Sequence, residues 1–535
     1  MNLNGKKLIF VSLLLIYSGF MIVKCAYMSF NSDDATNILI ANDLLHRNFF
    51  LSNWKLGSRL DLTTEFPYHI VGLLVTGISA WVYPIAAGAM VVATVMIGFC
   101  LCQPSKRTLS SLAFYFLICA VPGAFGDKSF SYHLPAITWS FLSLLFAAEE
   151  FEQHRPRHLL WVAIFLLLGC FGNALSFPVG PIPILIYCLA KRLSRDCSPD
   201  EANACKRIIT VVVAAIVLST ILQQVYFYIG QVGKPIPMIK TLSFEPLEKL
   251  GEKIVLYIRS IFVIGDADFF GKPVFGKRIV DSAGGAFMSI LRGEIHLAIK
   301  TPAYFVHTFV IIIGFILVFR NIRDFIRGKD TDRLSILLSI GIICISLIFI
   351  LTTVAVDEPS RRYVAYIWIA FGVLIARNWE WLISSTRLTT KSAAVGLLLM
   401  ATLAFGFRAV EDCIEIARRD GFPEPAQKAL GEFLRHNGLY EGYSSFWNAS
   451  VTTVSLENQI KVRAIVSSTK KLEPFVWLCK QDWYKEPANF VVAADDDMFG
   501  VTPQNVIGFF GRPKNVLGFE SWKILIYDTD LSAML

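Results

Sequence analysis

Eleven apolar runs, most of them separated by short basic loops, constrain this chain more than anything else in it. They lie near 8–27, 68–103, 109–125, 134–149, 159–171, 178–190, 208–229, 303–319, 334–354, 363–376 and 392–408. Several reach or approach the roughly 18 to 20 residues that cross a bilayer. Soluble chains rarely combine 54% hydrophobic residues with only 17% charged ones, and the mean hydropathy is +0.54. The expected fold class is an all-α polytopic membrane protein of about 11 transmembrane helices, and the lipid bilayer is the first partner.

The net charge of +8 does not point to nucleic acid, because the basic residues collect in the short loops. Most of the 11 cysteines lie inside apolar runs, as at Cys100, Cys102, Cys119, Cys170, Cys188 and Cys344, without ligand-like pairing to His; they read as buried small hydrophobes. The N-terminal run lacks a small-residue cleavage site, and Lys24 before Cys25 spoils a lipoprotein signal. It reads as a retained first helix rather than a cleaved signal peptide.

With Lys6 and Lys7 inside, the basic stretches "PSKR", "QHRPRH", "KRLSRD", "RNIRDFIRGKDTDR" and "RNWEW" all fall inside. "GDKSFSYH", "GNALSFP" and "VDEPSRRY" fall outside, as the positive-inside rule requires. Residues 68–103 are too long for one span, yet two spans would invert every later loop. An interfacial or re-entrant helix at 66–81 followed by a span at 83–103, divided near Pro84, resolves this. The expected domains are a membrane domain, 1–408, with outer loops 27–66 and 230–300, and a small extracytoplasmic α/β domain, 409–535. In the tail, helical patterns at "PEPAQKALGEFLRHNG" and "ASVTTVSLEN" alternate with extended ones at "YSSFW", "KVRAIVS", "NFVVAA" and "WKILIYD".

The first outer loop, "NSDDATNILIANDLLHRNFFLSNWK", places Asp33 and Asp34 just past the first span, before a helix expected to lie on the outer membrane surface. Either aspartate can cap that helix. The same loop carries Asp61 and Glu65, with Lys55 and Arg59 interleaved. Carboxylates among cations at a membrane face suit a phosphate-linked lipid substrate and a hydroxyl acceptor: the cation holds phosphate and the carboxylate takes a proton. The pattern "SDDATNILIANDLLHRNFFLSNWKL…DLTTEFPYHIVGLL" resembles the first outer loop of bacterial membrane glycosyltransferases of the GT-C superfamily. The likeness is good over about 1–105 and looser beyond, where it rests on topology and "DEPSRRYVAYIW". It implies a GT-C-like fold, a polyprenyl-phosphate-linked sugar as donor, transfer on the outer face, usually with inversion, and an acidic residue of the early loop in catalysis. Asp33 and Asp34 occupy that position.

Other candidates lie in the outer loops. Arg361 and Arg362 of "VDEPSRRYV" suit phosphate by their planar forks, or snorkel to lipid head groups; Tyr363 follows them. Asp127, Lys128, Tyr132 and His133 share "GDKSFSYH"; His133 can hydrogen-bond a phosphate or an acceptor hydroxyl, and an ordinary polar turn reads equally well. Asn173 suggests packing or a helix break. Asp266 and Asp268, beside Lys272, Lys277 and Arg278, have the spacing of a weak D-x-D motif, and "AADDDMFG" follows an expected strand; both fit solvated loops. A divalent metal is possible and not indicated. In the favoured reading, Asp33 or Asp34 is the base. Arg361, Arg362, Lys128 and Arg59 bind the donor phosphate, and Asp61, Glu65, His133 and Tyr363 serve the acceptor side. The acceptor is a surface glycan such as O-antigen, modified in the periplasm of a bacterial inner-membrane system. Rival classes are a transporter or flippase, which needs charges lining mid-span pathways, and a polymerase or ligase of polyprenyl-linked glycans.

Overall fold

A computed structural model of the chain describes residues 3–57, 59–102, 109–120, 128, 132–194, 197–230, 243–267, 295–329, 332–384, 390–419, 421–468 and 471–535. Each apolar run carries a helix. In chain order the helices are α1 (Leu3–Ala26), α2 (Ser32–Leu45), α3 (Phe66–Thr76), α4 (Val82–Leu101), α5 (Leu109–Cys119), α6 (Leu134–Gln153), α7 (Pro156–Gly172), α8 (Ser176–Val179), α9 (Pro181–Leu193), α10 (Pro199–Gly230) and α11 (Leu250–Ile264). Then come α12 (Ile295–Ile326), α13 (Arg333–Leu351), α14 (Ala365–Arg377), α15 (Trp379–Ser384), α16 (Thr390–Ala417), α17 (Ala426–His436), α18 (Phe446–Ser455) and α19 (Pro503–Phe510). Among the described residues, six helices are long and apolar enough to cross a membrane: α4, α6, α10, α12, α13 and α16. Several starts are set by proline in the first turn, at Pro67, Pro135, Pro156 and Pro181, where the missing N–H is one the helix leaves unpaired anyway.

The long run 68–103 is divided between two helices. Helix α3 ends at Gly77, in the left-handed region at φ 68°, and α4 begins at Val82. Pro84 lies inside the first turn of α4 rather than between the two helices. Val71, Leu74 and Val75 form an exposed apolar face on α3.

The chain divides into two compact units. The first comprises Met1–Lys24, Gly88–Ile221 and Ile239–Asp420. At its centre α14 is buried at every residue from Ala365 to Ala376, which its all-round apolar sequence allows. Its neighbours approach closely: a Cβ at Gly314 of α12 would come within 2.3 Å of the Phe371 ring, so only glycine fits there. At the far end of α14, Arg377 grips Asp332 with Nη2 2.6 Å from Oδ1, tying it to the start of α13.

The second unit comprises Cys25–Ala87, Leu222–Met238 and Gly421–Leu535. It holds strands β1 (Trp54–Lys55), β2 (Glu441–Ser444), β3 (Lys461–Ser468), β4 (Lys471–Pro474), β5 (Cys479–Lys480), β6 (Phe490–Ala494), β7 (Asn515–Phe519) and β8 (Trp522–Ile526). Six of them form one sheet in the order β4-β3-β2-β6-β8-β7, parallel at β3-β2-β6 and antiparallel elsewhere. The expected helical and extended segments of the tail fall on α17, β2, α18, β3, β6 and β8.

Three local expectations are revised. The helix after the first span does not present one broad polar face and one lipid face. Ala35, Thr36, Ile38, Leu39, Ile40 and Ala41 are all buried, and α2 packs against α3 and α18. Ser32 Oγ donates to the Phe446 carbonyl, and Thr36 Oγ1 donates to Ser450 Oγ at 2.8 Å. The first loop therefore folds with the tail, and β1 pairs with β5 to complete the link. Finally, α16 runs through the expected 408/409 boundary.

Candidate active site

The carboxylates of the first loop lie in the second unit. The N-cap of α2 is Asn31, so Asp33 and Asp34 sit in the first turn instead of at the cap. Asn31 accepts from the Asp34 N–H at 3.2 Å, and Asp34 Oδ2 accepts from the Asn31 N–H at 3.0 Å. This reciprocal box consumes one oxygen of the buried Asp34. Asp33, one residue earlier, is half-buried. Both carboxylates also lie where the positive end of the helix favours negative charge.

Farther along the same loop, Arg59 makes two ion pairs, 3.2 Å to Asp61 and 2.7 Å to Glu65. Asp61 is buried at a left-handed φ of 51° and accepts from Thr64 Oγ1 at 2.9 Å. Arg59, Asp61 and Glu65 are thus brought together, and the arginine expected to hold phosphate is held by carboxylates. Glu65 is followed one turn on by buried His69, whose Nδ1 lies 3.0 Å from the Glu65 carbonyl.

In the first unit, two loops distant in sequence converge. Lys128 Nζ lies 6.0 Å from the centroid of the Tyr132 ring, and the Arg362 guanidinium lies 5.6 Å from the same ring. Arg362 also sits 5.3 Å from the Tyr363 ring, and that ring packs 5.2 Å from His133. Lys128, Tyr132, His133, Arg362 and Tyr363 therefore form one cluster of cations and aromatic rings. Arg361 and Arg362 belong to a 3-10 turn, Glu358–Val364, opened by a capping box between Asp357 and Ser360 and tied to α11 by an ion pair from Arg259 to Glu358. The Arg362 Nε is buried without a hydrogen-bond partner among the described residues.

His133 caps α6 at a left-handed φ of 64°, a conformation seldom adopted by a non-glycine residue. Its Nδ1 lies 3.0 Å from Asn173 Nδ2, while Asn173 Oδ1 accepts from the Leu175 N–H at 3.0 Å. The backbone bond fixes the amide orientation, so the amide donates to Nδ1 and neutral His133 carries its proton on Nε2. Asn173 does end α7, as expected, and also sets this tautomer.

Of the remaining candidates, Asp127, Asp268, Lys272, Lys277 and Arg278 lie outside the described residues. Asp266 pairs with Arg408 at 2.8 Å. In the tail, Asp497 accepts from the Phe499 and Val501 N–H groups and Asp495 pairs with Lys523, as a solvated turn would. Among the described residues, no group of three or more His, Cys, Asp or Glu is arranged to hold a metal.

No protein-family model matches the chain, and no curated protein matches it. Solved structures do. The crystal structure of ArnT from Cupriavidus metallidurans bound to undecaprenyl phosphate superposes with a TM-score of 0.54 at 11% identity, covering 98% of each chain. The same protein in the apo state gives 0.52 at 10% identity, covering 99% of each. The fold is that of ArnT. The polytopic helical fold with a small C-terminal α/β domain is therefore the one found.

One part of this ArnT-like chain escaped the sequence reading. In the first unit, Lys24 of α1 lies 2.9 Å from Asp412 of α16, both fully buried. Arg408 reaches Asp266 at 2.8 Å, Glu411 at 3.2 Å and Asp412 at 3.4 Å, and His307 Nδ1 approaches the Asp266 carbonyl at 3.3 Å. The signal was present: a cation near the end of α1, and an arginine and aspartate one turn apart on α16.

Proposed function

We propose that the chain is a membrane glycosyltransferase of the GT-C type that takes its sugar from a polyprenyl-phosphate carrier. The observation that carries this reading is the Lys128–Tyr132–Arg362 cluster, with its buried unpaired Nε, in a fold shared with a GT-C glycosyltransferase whose structure holds undecaprenyl phosphate. An arginine edge without a partner in a buried setting is costly unless an acceptor fills it, and a phosphate oxygen fits its geometry.

In this reading the donor is a hexose such as glucose on undecaprenyl phosphate. The acceptor is a hydroxyl of a surface glycan such as O-antigen, and the reaction takes place on the periplasmic side of the inner membrane. Asp33 accepts the acceptor's hydroxyl proton, and the freed oxygen attacks the anomeric carbon. The bond from that carbon to the phosphate oxygen breaks, with inversion. Lys128, Arg361 and Arg362 stabilise the departing polyprenyl phosphate, which needs no strong acid. His133, with its proton on Nε2, is a donor on the same cluster. Arg59, held between Asp61 and Glu65, is a further candidate to bind the donor phosphate.

The test separates base from cap. Asp33→Asn should lower transfer from a polyprenyl-phosphate hexose roughly 10²- to 10⁴-fold, with protein level and donor binding unchanged. Asp34→Asn keeps a capping acceptor and should be milder. Near-normal transfer by both single variants and the double variant sinks the base assignment.

A further inference from the structure

Arg361 and Arg362 sit on the connection between α13, which ends at Leu351, and α14, which begins at Ala365. Apart from the 3-10 turn, this stretch has little regular structure to hold it. Its far end is fixed, because α14 is buried from Ala365 to Ala376. Its near end leaves a helix whose last carbonyls have no partner within the helix. The segment before α11 supplies the first contacts. The Glu245 N–H donates to the Leu351 carbonyl at 2.9 Å, and the Thr353 N–H donates to the Ser243 carbonyl at 3.0 Å. Between them Phe244 and Thr352 pair as an antiparallel bridge.

Lys253, in the first turn of α11, completes the junction. It is buried, at 7% exposure. Its Nζ donates to the Ala355 carbonyl, lies 3.4 Å from the Thr352 carbonyl and pairs with Glu245 at 2.7 Å. An ammonium has three protons to give, and here three acceptors meet it. A cation is also favoured beside the carbonyl end of a helix. One side chain thus ties together α11, the segment at 243–245 and the start of the connection. Farther along α11, Arg259 pairs with Glu358, in the first turn of the 3-10 helix. That pair is partly exposed, at 35% and 52%, and such pairs contribute little. Buried Ser360 locks the turn itself. It accepts from the Val356 N–H at 3.1 Å and the Asp357 N–H at 3.3 Å, and donates to Asp357 Oδ1 at 2.9 Å.

We propose that Lys253 is a positioning residue for the arginines that hold the donor phosphate. It rests on the reading of Arg361 and Arg362 as donor-binding groups, and adds a residue that touches no substrate. The turn keeps its own shape through Ser360. What it lacks is a fixed place relative to α13, and Lys253 gives it one. Without the ammonium, the Thr352 and Ala355 carbonyls lose their shared donor, and the connection is free to shift as a body. Arg362 then meets the phosphate from a range of positions instead of one. A guanidinium binds phosphate through a directional fork, so a shift at the root of the turn is felt at its tip.

The experiment measures binding of undecaprenyl phosphate to the full-length protein in lipid nanodiscs, at a temperature where thermal unfolding shows each variant folded. Lys253→Met alone would strand the Glu245 carboxylate, so the test variant is Lys253→Met/Glu245→Gln. It should bind roughly 3- to 30-fold more weakly than the parent. Lys253→Gln/Glu245→Gln, which keeps a shorter donor for one carbonyl, should lose less. Glu245→Gln alone keeps the ammonium and an acceptor for it, and should stay within about 3-fold of the parent. Because Lys253 acts through the arginine turn, adding Lys253→Met/Glu245→Gln to Arg362→Ala should cost no more than about a further 2-fold. Parent affinity in the folded Lys253 variants would make the residue merely structural and overturn the proposal. Losses that multiply in the combined variant would overturn it too, since Lys253 would then act apart from Arg362. Unchanged affinity in Arg362→Ala alone would instead sink the donor-site reading, and the positioning role with it.

Discussion

At the scale of single residues, the buried charges of the first unit fall into two kinds. Those paired with an opposite charge hold the fold together. Lys24 and Asp412 are fully buried against each other, and removing one member of such a pair leaves an uncompensated charge. Lys24→Met should lower stability by about 3–5 kcal/mol, read as an earlier thermal unfolding of the purified protein. The double variant Lys24→Met/Asp412→Leu should recover much of the loss, since an apolar pair of similar volume suits that site. A double variant as weak as the single one would show that Asp412 is held chiefly by Arg408. Arg362 is of the other kind, with a buried Nε that has no hydrogen-bond partner among the described residues. Arg362→Ala should weaken donor-lipid binding about 10- to 100-fold with little effect on thermal stability. Unchanged affinity would reduce its role to stacking on Tyr132 and Tyr363.

Among elements, the link between α2 and the tail is the most open to test. Asp43 of α2 accepts from Trp54 Nε1 at 2.8 Å, from Asn48 Nδ2 at 2.7 Å and from Lys480 of β5 at 3.0 Å. Burial alone would raise its carboxyl, but these three partners outweigh burial and hold it below the usual range. A carboxyl lowered on folding contributes stability that is present above its unfolded value, near ~4, and is lost as pH falls through the folded one. Asp43→Asn should therefore destabilise the protein at neutral pH, and the gap to the parent should close on acidification toward pH 3. A gap independent of pH would mean that the charge of Asp43 does nothing. This link was beyond the sequence reading for a physical reason. Periodicity reports which residues are apolar, so it found all eleven runs and the main strands of the tail. It does not report which surface covers them. The pattern of α2 fits lipid as well as it fits α18, and only the partner decides. The two-residue strands β1 and β5 leave no periodic signal at all. In the first unit, by contrast, Lys128, His133, Arg362 and Tyr363 were legible as candidates because charge and aromatic residues in short loops between apolar runs have few structural duties there. Their convergence needed the fold.

For the whole molecule, the ArnT-like architecture places the early loop and the last 115 residues in one compact unit, Cys25–Ala87 with Gly421–Leu535. A fragment of residues 421–535 expressed alone should lose the surface that α2 covers. It should be poorly soluble or bind a hydrophobic dye, and adding residues 25–87 in a single fusion should reverse this. A soluble, monomeric 421–535 fragment that unfolds cooperatively would show that the loop is an addition to a self-sufficient domain.

That shared unit also has a consequence in time. Ribosomes add roughly 5–20 residues per second, and roughly 330 residues separate Ala87 from Gly421. The first loop thus waits on the order of tens of seconds for the strand and helix that bury it. During that interval Ile38, Leu39 and Ile40, which are buried in the finished protein, lack their final cover from α18. Newly made chains stalled before residue 421 should be the species that quality-control proteases and chaperones recognise.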